Sequence, residues 1–153
     1  MRRARIPLLI AALTVLLDQL TKGAVAHLLV PGDSLPLLPP ILSLTYVQNT
    51  GAAFGILKGL TWLSILLSLV VAAWIVLELL RSGQGAHAPL RLWALSLVLG
   101  GAMGNLIDRV WRGHVVDFID VHVWPVFNVA DSAITIGVVL LLWPVLLARR
   151  GSH

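Results

Sequence analysis

The length of its apolar runs constrains this sequence more than any other feature. Four segments are mostly apolar for about 20 residues, which is the length an α-helix needs to cross a bilayer. The chain of 153 residues is 58% hydrophobic and only 12% charged, with a mean hydropathy of +0.93, far from a soluble globular composition. We therefore predict a single-domain membrane protein over residues 1–150, with spans at about Ile6–Val30, Leu60–Leu80, Leu92–Val110 and Ala130–Ala148.

Two connections between these spans are long enough to hold structure of their own. Residues 31–58 contain turn signals and the segment ILSLTYV, and residues 111–128 contain VVDFIDVHVW. Both segments are rich in β-branched and aromatic residues, which is typical of strands. We expect β-structure in both connections.

The basic residues predict the orientation in the membrane. Seven arginines fall on one side of a four-span arrangement, against three basic residues near the other side, so both termini are predicted to be cytoplasmic. The first set is Arg2, Arg3, Arg5, Arg81, Arg91, Arg149 and Arg150, and the second is Lys58, Arg109 and Arg112. Because the basic residues form no stripe mixed with aromatics, we expect no nucleic-acid partner. The absence of cysteine excludes disulfides and thiolate chemistry.

The N-terminus permits a second interpretation. MRRAR, an apolar run and Ala24-Val25-Ala26 together resemble a cleavable secretory signal. We favour a retained first span, because cleavage would discard Asp18, Gln19 and Lys22 and would leave the C-terminal arginines against the charge bias. Residues 151–153, Gly-Ser-His, are interpreted as a cloning remnant.

Acidic residues are concentrated near one face of the predicted bundle. A carboxylate at the centre of a span costs about 2.5–3.5 kcal/mol, so a membrane-embedded acid indicates a function or a specific partner. Asp33 and Glu78 are interpreted as an ordinary turn residue and a helix-end residue. The other five acids lie within or just beyond spans one, three and four, towards the outer face: Asp18, Asp108, Asp117, Asp120 and Asp131.

Two motifs inside the spans carry polar side chains. In DQLTK, Asp18 and Lys22 are four residues apart, a favourable helical pairing that fits either an internal ion pair or contact with a substrate. In GNLIDR, Asn105, Asp108 and Arg109 share one helical face. We favour a structural role in interhelical hydrogen bonding over a direct role in the chemistry, with Arg109 keeping Asp108 ionised and Arg112 also within reach. The glycines of GGAMG, just upstream, allow another backbone to approach closely.

Asp117 in HVVDFID and Asp131 in FNVADSAI form the candidate reactive pair, called the dyad below. Asn128 and Asp131 are three residues apart, as in a capping box, so a purely structural role for Asp131 is one alternative. Two close carboxylates share a proton, so one can activate water while the other polarises an amide carbonyl. We expect Asp131, at a helix N-terminus, to be ionised and Asp117 to hold the proton.

The remaining polar residues near this region have simpler interpretations. Asp120 is expected to be a solvated loop acid. His114 and His122 are expected to lie at the membrane interface and not to bind metal.

Five motifs in order resemble the signal peptidase II family, the prolipoprotein signal peptidases of bacteria, over nearly the whole chain. They are DQLTK, NTGAAFG (Asn49–Gly55), GNLIDR, VVDFID and FNVADSAI. The resemblance implies an all-α membrane protein with four transmembrane helices, a small extracytoplasmic β-cradle and a surface loop that can cover the site. Gly51 and Gly55 fit that loop because glycine permits tight turns. An ordinary turn between a strand and a helix is the alternative for this motif.

The resemblance also implies an aspartyl endopeptidase of the bacterial inner membrane. Such an enzyme cuts diacylglyceryl-modified prolipoproteins just before the lipidated cysteine, without cofactor or metal, and is inhibited by globomycin-type cyclic peptides. We expect a monomer whose partners are the prolipoprotein substrate and membrane lipid. The catalytic pair falls on Asp117 and Asp131, and the supporting residues on Asp18, Lys22, Asn49, Gly51, Asn105, Asp108, Arg109 and Asn128.

Three other functions are weighed against a peptidase. Membrane-embedded acids also mark proton-coupled transporters, but here they cluster near one face, and no pair of broken spans repeats between the halves. A metal-dependent hydrolase would draw on Asp108, Asp117, Asp120, His114 and His122, but HExxH is absent. An assembly factor would need no carboxylate pair.

Overall fold

The computed structural model describes residues 2–51, 61–81 and 88–150. Each predicted span coincides with a helix to within a few residues. The predicted positions Leu60, Lys58, Ala52–Gly55 and 151–153 lie outside the described residues. In chain order the elements are α1 (Arg2–Leu28), β1 (Ser34–Leu38), β2 (Leu42–Asn49), α2 (Thr61–Arg81), α3 (Ala88–Trp111), β3 (Val115–Asp120) and α4 (Val129–Arg150).

Three helices of the described chain are long and apolar enough to cross a membrane. The qualifying stretches are Arg5–Leu28 in α1, Thr61–Arg81 in α2 and Pro89–Trp111 in α3. The apolar stretch found in α4, Val129–Pro144, is shorter than these three, at between 10 and 17 residues. Three candidate spans are therefore present, and α4 is a further apolar helix beside them.

Helix α3 lies at the centre of the bundle. In its most apolar window 61% of the residues are buried, against 22% in α1 and 17% in α2, whose large aliphatic side chains stay exposed on the surface available to lipid. The GGAMG glycines explain the close approach of the neighbours. A Cβ on Gly101 would collide with the carbonyl oxygen of Ala130 in α4, and one on Gly100 would meet Thr14 of α1. The predicted close backbone approach is confirmed.

A three-stranded antiparallel sheet, in the order β1-β2-β3, covers one end of the bundle. Strands β2 and β3 arise where the β-branched and aromatic segments predicted them. Strand β1, which contains Pro36, was not predicted, because turn signals flank it on both sides. A proline is tolerated there since β1 is an edge strand. The sheet packs on α1 through an apolar cluster of Val25, Tyr46, Val116 and Phe118.

The chain after β3 folds back against that strand before α4 begins. Phe127 pairs with Ile119: the Ile119 N–H donates to the Phe127 carbonyl at 2.7 Å, and the Phe127 N–H donates to the Ile119 carbonyl at 3.1 Å. This return brings the first turn of α4 beside the middle of β3. Residues 117 and 131 are thereby brought to the same end of the bundle.

Candidate active site

Asp117 lies on β3, opposite Val47 of β2, and is 2% exposed. Its carboxylate accepts two side-chain hydrogen bonds. Asn128 Nδ2 donates to Oδ1 at 2.7 Å, and Asn49 Nδ2 donates to Oδ2 at 2.9 Å. Both oxygens are therefore held by amides from other elements.

Asp131 lies in the first turn of α4 and takes part in a reciprocal cap with Asn128. The Asp131 N–H donates to Asn128 Oδ1 at 2.9 Å, and the Asn128 N–H donates to Asp131 Oδ2 at 3.2 Å. The predicted capping box is confirmed. The other oxygen, Oδ1, accepts from Asn105 Nδ2 of α3 at 2.8 Å, so Asp131 does more than cap its own helix.

Asn128 brings the two carboxylates together. It is fully buried, and it donates to Asp117 through its side chain and to Asp131 through its backbone. Its side-chain amide also lies 3.2 Å from Asn105 Oδ1. The dyad predicted from two distant motifs therefore converges on one asparagine.

The surroundings of Asp117 favour its protonated form. Burial raises the pKa of Asp117 to about 6, against 3.8 for a solvated aspartate. The hydrogen bonds from Asn49 and Asn128 and the charge of Lys22 oppose this rise, while the negative charge of Asp131 adds to it. A carboxyl group with this pKa can hold a proton under mildly acidic conditions, where a solvated aspartate cannot.

The DQLTK and GNLIDR motifs contact each other next to the dyad. Lys22 and Asp18 are fully buried and form an ion pair at 2.9 Å, and Lys22 also pairs with the buried Asp108 at 3.0 Å. The internal ion pair, one of the two alternatives for DQLTK, is therefore present.

The predicted partner of Asp108 requires a correction. Asp108 forms its ion pairs with Lys22 and, at 2.8 Å, with Arg112, and not with Arg109. One turn separates Asp108 from Arg112 on the same helix, whereas Lys22 arrives from α1. The Arg109 guanidinium makes no direct ion pair with Asp108, but it lies within electrostatic reach of Asp131, Asp117 and Asp108, and it donates to the Asn105 carbonyl at 3.4 Å.

Asp120 was expected to be a solvated loop acid, but it is the last residue of β3 and is not simply solvated. The backbone N–H of His122 and the hydroxyl of Thr45 each donate to its carboxylate at 2.9 Å, and these bonds lower the pKa of Asp120. His122 is exposed and also contacts Ser43 at 3.1 Å. His114 is partly buried, and its Nε2 atom has no hydrogen-bond partner among the described residues.

Asn49 also shapes the turn at Gly51, within the NTGAAFG motif. Its Oδ1 accepts the N–H of Gly51 at 2.9 Å, and Gly51 has a φ of +80°, which confirms that the chain turns tightly there. The amide of Asn49 therefore links this turn to Asp117.

A cavity of about 410 Å³ opens beside Asp131. Its wall combines aromatic and aliphatic side chains with two hydroxyls, so it suits a largely apolar ligand segment. The lining residues are Val121, Trp124, Phe127, Asp131, Ser132, Thr135 and Ile136. Across residues 2–51, 61–81 and 88–150, no group of three His, Cys, Asp or Glu side chains is placed to hold a metal ion.

Gln19 lies among the buried polar residues of the site, but it was not one of the candidate site residues predicted from the sequence. Its Nε2 lies 3.0 Å from the Gly104 carbonyl and 3.2 Å from both Asp18 Oδ2 and Asp108 Oδ1. Its position inside DQLTK, next to Asp18, was the available signal. A glutamine in an apolar span needs partners just as an acid does.

Comparison with known proteins identifies the family. Residues 10–147 match the sequence profile described as signal peptidase (SPase) II. The chain belongs to the signal peptidase II family. The lipoprotein signal peptidase of Brevibacillus brevis is 49% identical to it, over 95% of this chain and 97% of the relative. That of Pelotomaculum thermopropionicum is 43% identical, over 90% of each chain. A bacterial membrane enzyme solved by the in meso method at 2.3 Å superposes with a TM-score of 0.86 at 36% identity, covering 97% of this chain and 92% of that one.

Membership in signal peptidase II carries two direct conclusions. The chain is a peptidase, and its apolar helices make it a multi-pass membrane protein. A second in meso structure of a bacterial membrane enzyme, at 1.9 Å, gives a TM-score of 0.84 at 38% identity, with 92% of each chain covered. The small sheet and helical bundle described above are therefore the architecture of a membrane enzyme.

Proposed function

We propose that this chain is an aspartyl endopeptidase that removes signal peptides from diacylglyceryl-modified prolipoproteins, cutting just before the lipidated cysteine. Membership in the lipoprotein signal peptidase family supports signal-peptide removal. The main support for aspartyl chemistry is that Asp117 and Asp131, from separate elements, both accept hydrogen bonds from Asn128, next to a cavity lined by Asp131.

In the proposed reaction the two aspartates have different roles. Asp131, in its ionised form, accepts a proton from a water molecule whose oxygen attacks the amide carbonyl carbon. Asp117, in its protonated form, donates a hydrogen bond to the carbonyl oxygen and then passes its proton to the leaving amine. The raised pKa of Asp117 supports this assignment. With one proton on the dyad, its single negative charge is balanced by Arg109, which lies near both carboxylates.

Supporting roles are assigned to the residues that hold the dyad. The amides of Asn49, Asn105 and Asn128 orient the carboxylates, and Gly51 begins the surface loop. The remaining supporting residues are Asp18, Lys22, Asp108 and Arg109.

We also propose a placement in the membrane. We place α4 across the membrane as the fourth span, both termini in the cytoplasm and the dyad near the outer face of the bacterial inner membrane. Trp111 and Trp124 are 87% and 70% exposed near the sheet, as in the aromatic belts of membrane interfaces. The lipid tails of the substrate then remain in the bilayer while its cleavage site reaches the cavity beside Asp131. A cyclic peptide of the globomycin type would compete for that cavity, and one chain suffices for the site.

The test uses purified protein reconstituted in liposomes with a diacylglyceryl-modified precursor peptide. Asp117→Asn and Asp131→Asn are each expected to lower the cleavage rate by at least about 1,000-fold, because each removes a proton-transfer group. Asp120→Asn is the matched control on the same strand and is expected to stay within about threefold of the parent rate.

Two further arms separate the alternatives. Excess chelator is expected to leave cleavage unchanged, and a precursor without the diacylglyceryl group is expected to be cut far more slowly. Normal cleavage by either dyad variant would show that the aspartyl assignment is wrong. Loss of activity in chelator would favour a metal-dependent hydrolase.

A further inference from the structure

The ammonium group of Lys22 is fully engaged inside the protein. Its Nζ lies 2.9 Å from Asp18 Oδ2, 3.0 Å from Asp108 Oδ2 and 2.8 Å from Asn105 Oδ1. An ammonium has three N–H donors, and the Lys22 side chain is 0% exposed. No donor is left for a substrate, so any influence of Lys22 on the reaction passes through its three partners.

Both carboxylates paired with Lys22 also hold backbone next to the dyad. Asp18 Oδ1 accepts the N–H of Ala130 at 2.9 Å, and Ala130 immediately precedes the α4 aspartate. Asp108 Oδ2 accepts the N–H of Val116 at 3.0 Å, and Val116 immediately precedes the β3 aspartate. The two elements that carry the dyad are thus tied to one ammonium group through one carboxylate each.

The third partner of Lys22 reaches the dyad directly. Because Asn105 Oδ1 accepts from the ammonium, its Nδ2 is turned towards Asp131, to which it donates at 2.8 Å. The opposite amide orientation would place its oxygen against the Asp131 carboxylate and its NH₂ group against the ammonium. Lys22 therefore fixes the orientation of this amide, together with the longer hydrogen bond that Asn128 Nδ2 donates to the same oxygen at 3.2 Å.

From these contacts we infer that Lys22 is a positioning residue for the dyad. The buried triad of Asp18, Lys22 and Asp108, called the lysine triad, fixes the separation of the helix and the strand that carry the two catalytic aspartates. Lys22 also fixes the Asn105 amide that orients one of them. This inference rests on the proposed function of Asp117 and Asp131.

The test measures kcat and KM separately in reconstituted protein, per folded molecule. Lys22→Met is expected to lower kcat by about 100-fold, since a displacement of about 1 Å at the reacting groups has that effect, and to change KM less than about threefold. Arg112→Gln is the matched control, because it removes the other cation that pairs with Asp108, at a side chain 26% exposed. It is expected to keep kcat within about threefold.

A charge-balanced double variant guards against loss of folding. Lys22→Met with Asp18→Asn leaves Asp108 paired with Arg112, and an asparagine at position 18 keeps an oxygen for the Ala130 N–H. This double variant is expected to fold and to show the same loss of kcat. If neither variant folds, or if the folded double variant has the parent kcat, Lys22 has only a structural role. A rise in KM at unchanged kcat would instead make Lys22 a substrate contact.

The dyad variants distinguish a failure of the positioning inference from a failure of the proposed function. If Asp117→Asn and Asp131→Asn are inactive while folded Lys22 variants keep the parent kcat, the positioning inference alone is overturned. If the dyad variants cleave normally, both the proposed function and this inference are overturned.

Discussion

Removing the side-chain amide of Asn49 is expected to raise the pKa of Asp117. The Asn49 Nδ2 group donates to Asp117 Oδ2 at 2.9 Å, and this bond favours the ionised carboxylate. In Asn49→Ala the ionised form loses that donor while the burial of Asp117 remains. The proton is then held to a higher pH.

The size of the shift follows from the strength of the bond. A hydrogen bond to a charged group contributes about 1.5–3 kcal/mol, and one pKa unit corresponds to about 1.4 kcal/mol. The lower value applies here, because Asn49 is exposed and water can replace part of the lost bond. We therefore expect the pKa of Asp117 to rise by about one unit from its parent value of about 6.

The assay is the pH dependence of kcat/KM for a diacylglyceryl-modified precursor peptide, which reports the free enzyme. The proposed mechanism needs a protonated Asp117, so kcat/KM falls as the pH rises through the pKa of that group. The parent midpoint is expected at a pH of about 6, and the Asn49→Ala midpoint about one unit higher. Gln48→Ala is the matched control: its amide contacts the Tyr46 hydroxyl at 3.3 Å, and its midpoint should stay at the parent value.

Two results would refute this reasoning. A midpoint in Asn49→Ala that stays at the parent value would show that water fully replaces the amide. A midpoint that moves to lower pH would show that the bond favours the protonated carboxyl. Asn49→Ala also loses the hydrogen bond to the Gly51 N–H. Because that N–H does not titrate, we expect its loss to lower the rate at every pH and to leave the midpoint unchanged.

Two further variants test the packing and the cavity. Gly101→Ala is expected to destabilise the protein by about 1–3 kcal/mol or more and to reduce cleavage, because its Cβ collides with the Ala130 carbonyl. Gly23→Ala is the control: its Cβ has nothing within 4 Å, so the thermal-unfolding midpoint should not fall. An equal loss of stability in both variants would contradict the packing argument. Thr135→Trp is expected to raise KM by at least about tenfold, because the larger side chain fills the cavity beside the dyad. Val138→Trp, one turn further along α4, is the control and is expected to leave KM unchanged. Equal KM values in the two variants would show that the substrate binds elsewhere.

Local features of the site could be predicted from the sequence with good accuracy. The spacing of Asn128 and Asp131 predicts their reciprocal cap, and the spacing of Asp18 and Lys22 predicts their ion pair, because both geometries are set within one helical turn. Partners from other elements were predicted less well. Asp108 pairs with Lys22 across the bundle, and this contact depends on how closely α1 packs on α3.

The sequence by itself determined the apolar helices, two of the three strands, the glycines available for close packing and the short list of polar residues. Each of these follows from hydropathy, periodicity or spacing along the chain, which act over one or two turns. Only the tertiary structure decided which atoms meet: that Asn128 contacts both carboxylates, and that one ammonium holds backbone beside each of them. Hydrogen bonds depend on distances of a few tenths of an ångström between elements, and such distances are fixed by packing in three dimensions.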